Sequence, residues 1–100
     1  MKGLIEYINE EARKYPLWCD VVLNIFKKSS KLNKEQISDM IISFCDVEGR
    51  LKKFSDYLFD VYPKDYLAYQ PNNDEFLNKS NDSKIANQIS EFILKYIVAS

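Results

Sequence analysis

Carboxylates stand one helical turn apart in this chain, as Glu6 with Glu10 and Asp56 with Asp60. Side chains at i and i+4 share a helix face, so such a pair can hold a divalent cation or divide acid and base work. The same spacing arises wherever charges line the wet side of an amphipathic helix, and a solvated face is the reading adopted for both pairs. There is no histidine. Its absence removes Ser-His and Cys-His nucleophiles, His-ligated metals and the Glu-x-x-His sites of di-iron bundles. Cys19 and Cys45 stand singly, with no CxxC, inside apolar helical patterns, which is how buried free thiols occur. No glycine-rich phosphate loop is present. The expectation is a non-enzymatic protein with no catalytic residues, no metal and no cofactor.

Two charged regions suit a macromolecular partner instead. Lys27, Lys28, Lys31 and Lys34 cluster where one helix ends and another begins, and Lys34-Glu35-Gln36-Ile37 has the form of a helix-turn-helix opening. Phosphate contact uses such patches, but base readout favours arginine, and the chain has two arginines against twelve lysines. Weak nucleic-acid binding through 27–34 is therefore held as an alternative, and direct nucleic-acid binding is not the expectation. Residues 54–76 carry five carboxylates (Asp56, Asp60, Asp65, Asp74, Glu75) against Lys64 alone, and four of the seven tyrosines (Tyr57, Tyr62, Tyr66, Tyr69). Tyrosine supplies contact area at small entropic cost and carboxylates steer a basic partner inward. The competing account has Tyr57 and Tyr62 flanking a helix seam, with Tyr66 and Tyr69 pinning a loop to the core.

The elements that position these residues follow from apolar spacing. Leu4, Ile5, Ile8, Ala12 and Tyr15 predict a helix over 3–14, and Pro16 suits the first turn of a second over 16–29, with Trp18, Val21, Val22, Ile25 and Phe26 inward. Asn33 followed by Gln36 matches a capping box. From there Ile37, Met40, Phe44, Val47, Leu51, Phe54, Leu58 and Val61 keep a strict heptad rhythm through Gly49. That phase predicts one long helix over 34–62, or two nearly collinear ones bending at Gly49, until Pro63 ends it. The stretch 63–82 has loop chemistry, with a helical turn over 64–69 that puts Tyr62, Tyr66 and Tyr69 on one face. Asp82 or Ser83 caps a last helix over 83–98, with Ile85, Ile89, Phe92, Ile93, Tyr96 and Ile97 inward. The predicted fold is all-α: one domain, a small antiparallel bundle of about four helices around one long central helix. Glu6, Glu10 and Glu11 are foreign to a secretory leader, and no apolar run approaches ~18 residues, so no membrane span is expected and the cytoplasm is the expected compartment. The lysine, isoleucine and asparagine bias points to a low-GC bacterium or its phage.

Within residues 39–65, Ser55-Asp56 followed by Tyr62-Pro63-Lys64-Asp65 resembles the colicin-nuclease immunity proteins, although the interval from Asp56 to Pro63 is longer and the His-Pro-x-Gly turn is missing. The resemblance implies a four-helix protein whose acidic, tyrosine-bearing segment blocks a basic nuclease. Separately, Pro16, Trp18, Leu23, Phe26, Leu32, Ile37 and Met40 are similar to a helical stretch near the N-terminus of some bacterial ATPases, without a Walker motif. The function expected is that of a protein-binding module, a small inhibitor, immunity or anti-defence protein. Its predicted contacts to a basic protein are Asp56, Tyr57, Asp60, Tyr62, Asp65, Tyr66 and Tyr69. A structural or oligomerisation domain, a homodimer pairing through the seam 37–61, is the other alternative.

Overall fold

Asn33 and Gln36 do what their spacing predicts. In the computed structural model, which describes residues 18–98, the Asn33 side chain accepts from the Gln36 N–H at 2.8 Å and the Gln36 side chain accepts from the Asn33 N–H at 3.0 Å. The expected helix 3–14, its carboxylates Glu6 and Glu10, and the start at Pro16 lie outside the described residues. Within them are four α-helices and no strand: α1 (Trp18–Lys28), α2 (Lys34–Phe44), α3 (Arg50–Val61) and α4 (Asp82–Ile93). The all-α class is therefore as expected.

Each helix buries one stripe. On α1, Trp18, Cys19, Val22, Leu23 and Phe26 are inward and Val21 and Ile25, also expected inward, are half-buried at the edge of that stripe, while Asp20 in the first turn and Lys27 and Lys28 in the last complement the helix dipole. Ser29 closes the end, its hydroxyl donating to the Ile25 carbonyl at 2.8 Å. On α2, Ile37, Ser38, Ile41 and Phe44 are inward. This helix packs on α4 through two small side chains: the Ser38 hydroxyl donates to Ser90 Oγ at 3.0 Å, and Ser90 donates on to the Asn87 carbonyl at 2.7 Å. Lys34 meets Glu91 at 2.8 Å, so partner numbers fall as α2 advances and this pair runs antiparallel.

The long central helix is not formed. Residues 45–49 are turn, and Gly49 sits at φ +86°, in the left-handed region that glycine enters without strain. A continuous helix over 34–62 would run about 43 Å, longer than the molecule's greatest extent of 38 Å. Phe44 and Leu51 both reach the core, from separate helices, and the chain happens to step seven positions from one to the other. The heptad phase survives the break for that reason alone. Val47, at 53% exposure, and Val61, at 43%, are outside the core, and Ile41 takes an inward place that the seam left vacant.

Tyr62 closes α3, its N–H donating to the Leu58 carbonyl at 2.8 Å before Pro63. The turn over 64–69 forms as expected, through Tyr66 N–H to Tyr62 O at 3.0 Å and Tyr69 N–H to Tyr66 O at 2.9 Å. Two short 3₁₀ turns, Asn73–Leu77 and Lys79–Asn81, shorten the remaining loop. The cap of α4 is Asn81, not Asp82 or Ser83, and the Asn81 amide reaches back to the Glu75 carbonyl at 3.0 Å. The final helix is α only to Ile93 and ends in a π turn, Leu94–Val98. Of the residues the periodicity selects, Ile85, Ile89, Phe92, Ile93 and Ile97 are buried and Tyr96 is half-buried, while Ala86 and Ser90 are buried as well.

Candidate functional site

Of the seven predicted contact residues, three come together. On α3, Lys53, Asp56, Tyr57 and Asp60 recur at helical spacing along one stripe, and that stripe faces the first turn of α1. Together with Trp18, Cys19 and Asp20 they line a groove of about 290 Å³. Its back is apolar. Trp18 packs against Phe54 at 6.2 Å between ring centroids, and the Tyr57 ring stacks on Phe54 at 6.4 Å with 13° between planes. The Tyr57 hydroxyl donates to the Asp20 carboxylate, fixing the ring as a wall. Burial first, and that hydrogen bond second, push the Tyr57 phenol above its ordinary range, so it stays a neutral donor. Asp56 and Asp60 are exposed, and Asp56 is held by Lys52 one turn earlier at 2.9 Å.

Asp65 is exposed but lies in the turn after Pro63, outside the groove. The other three tyrosines turn inward. Tyr62, Tyr66 and Tyr69 surround Phe92 with centroids 5.5, 5.0 and 5.7 Å away. They share one face as the spacing predicts, and that face is the core. Tyr66 is a correction: at 0% exposure it offers nothing to a partner, and its hydroxyl is paired with that of Ser55 at 2.7 Å. Burial pushes its phenol up to about 12. Tyr62 and Tyr69 are half-buried.

Sequence reasoning missed Asp20, Trp18 and Lys53 as members of the site. Asp20 read as a first-turn acid on its own helix, and only the packing of α1 on α3 places it opposite Tyr57. A second, larger cleft of about 330 Å³ was also missed because the heptad was read straight through its wall. The turn 45–49 lines it together with Leu51, Lys52, Phe76, Leu77, Lys79 and Asp82. Leu77, at 87% exposure, and Val47 stand at this cleft, and Lys52 links it to the groove through Asp56.

Among the described residues no three His, Cys, Asp or Glu side chains converge on a point where a metal ion could sit. Cys19 is buried and Cys45 half-buried, both as free thiols, each pushed up to about 12 by desolvation. In the lysine cluster, Lys27, Lys28 and Lys31 are exposed while Lys34 is engaged by Glu91. No described helix is long and apolar enough to cross a membrane. Compared with protein-family models, curated proteins and solved structures, the chain matches none.

Proposed function

We propose that this protein is a non-enzymatic protein-binding module, of the small inhibitor, immunity or anti-defence kind, that covers a basic site on its target with the outer face of α3. Support comes from one observation above all: Asp56, Asp60 and Asp65 are exposed while the tyrosines beneath and beside them are held by the core. Carboxylates on a rigid helix face lose little freedom on binding and raise the encounter rate with a cation-rich surface. Asp20, bonded to Tyr57, joins the contact set, and Tyr66 leaves it.

Pairing between chains through the seam 37–61 has less support. Ile37, Phe44, Leu51, Phe54 and Leu58 are at most 8% exposed within a single chain, so they cannot also form an interchain seam without unfolding it.

Hexalysine serves as the test ligand, titrated at low and at raised salt. The wild-type chain is expected to bind it with a salt-weakened affinity. The triple variant Asp56→Lys, Asp60→Lys, Asp65→Lys should lose that binding while its helical circular dichroism is unchanged. Equal affinity in the triple variant would remove this face from consideration.

A further inference from the structure

We propose that two copies of this chain pair through the cleft between the turn 45–49 and residues 76–79, each lending Leu77 to the other. Of the five large apolar side chains left exposed among the described residues, two, Val47 and Leu77, line this cleft. Leu77 stands on a 3₁₀ turn at 87% exposure and buries almost nothing within its own chain. Beside it lies a hollow of about 330 Å³ with Leu51 and Phe76 in its lining. One patch thus carries both a projecting leucine and a space of side-chain size. That space is too small for a helix or a strand, so a partner enters it by a side chain.

The charges select a second copy as that partner. Asp46 and Glu48 stand on the 45–49 wall and Lys79 on the other, all three exposed. None of them has an ion-pair partner among the described residues. An isologous contact sets residue i against j and j against i. A two-fold axis through the cleft therefore lays each chain's 76–79 wall on the other's 45–49 wall. Leu77 then meets Val47, and Lys79 meets Asp46 and Glu48, twice over. A partner of one charge sign would match one wall and oppose the other. Asp56, Asp60 and Asp65 do not line the cleft, so pairing leaves the acidic face of α3 open and the two readings fail independently.

Light scattering and sedimentation of the full chain test this from about 10 µM to about 1 mM, because so small a patch falls below a standard interface and gives a weak dimer. The mass should rise with concentration from one chain toward two. Leu77→Asp, at a side chain outside the core, should weaken self-association at least about tenfold through the loss of a buried leucine from each chain. Its helical circular dichroism should be unchanged. Glu48→Lys and Lys79→Glu, each alone, should associate less than the wild type. An equal mixture of the two should pair again, because in a two-fold contact mixing restores opposite charges at both places. A one-chain mass at the highest concentration would overturn the proposal. So would a dimer that Leu77→Asp leaves intact, or charge variants that gain nothing on mixing.

Discussion

Tyrosine does two different jobs here, and the hydroxyl partner shows which. Tyr57 donates a hydrogen bond to a carboxylate at the rim of a groove, whereas Tyr66 pairs with Ser55 in a site closed to water. Removing the Tyr66 hydroxyl with Tyr66→Phe leaves Ser55 buried without its partner and should cost about 1–3 kcal/mol of stability at neutral pH, measured by urea unfolding. The pH dependence has a definite sign. An unfolded tyrosine ionises near its usual 10.0, while folded Tyr66 keeps its proton to about 12. Below pH 10 both states are protonated and the contribution is whole; above it only the unfolded chain releases the proton, and stability drains away toward pH 12. Cys19 and Cys45, raised from 9.0 to about 12, start the same decline a unit earlier. Urea midpoints should thus hold to about pH 9 and fall beyond it, with a shallower fall in Tyr66→Phe; an identical slope in the variant would contradict this account of Tyr66.

At the scale of elements, Gly49 separates two descriptions of the same residues. In the middle of a continuous helix, Gly49→Ala would stabilise by about 1 kcal/mol. At φ +86° it should instead destabilise by about 1–2 kcal/mol, because an L side chain in the left-handed region is strained. A Cβ there would meet nothing within 4 Å, so backbone strain is the whole effect and the sign of the measured change decides the matter. The capping box at Asn33 was legible because its partners are three residues apart and need no tertiary context. The inward stripes of α1 and α4 were legible for a similar reason, since a helix face is a local repeat. The break was not. A heptad phase records which residues are apolar, and it cannot distinguish a helix that continues from one that stops and restarts a multiple of seven later. The fourth seam position, Val47, was the weak link, and a glycine two residues on was the signal that outweighed it.

Across the whole molecule, one ring ties the late segment to the rest. Phe92 meets Tyr62, Tyr66, Tyr69 and Tyr96 at 5.0–5.7 Å between centroids, so it joins the end of α3, the following turn and the C-terminal π turn. Phe92→Ala should cost about 3–5 kcal/mol, through lost transfer energy and the cavity left behind. It should also raise hydrogen exchange at amides of residues 62–69 more than at those of α1, because the turn supplies two of the rings packed on Phe92 and α1 supplies none of them. Uniform exchange across both regions would indicate that Phe92 supports the core without organising this turn. The candidate surface depends on the same anchoring, since the tyrosines under Phe92 set where α3 ends and so where Asp60 and Asp65 stand.

Local chemistry in the chain was enough to determine the all-α class, the start of α2, the inward faces of α1 and α4, the turn after Pro63 and the acidic bias of residues 54–76. Each of these depends on neighbours a few residues apart. Only the tertiary structure decided that α2 and α3 are separate, that three of four tyrosines in that segment face Phe92, and that Asp20 completes a groove with Tyr57. Those outcomes depend on which distant stripe each residue meets, and helical periodicity places a side chain on a face without saying what lies opposite.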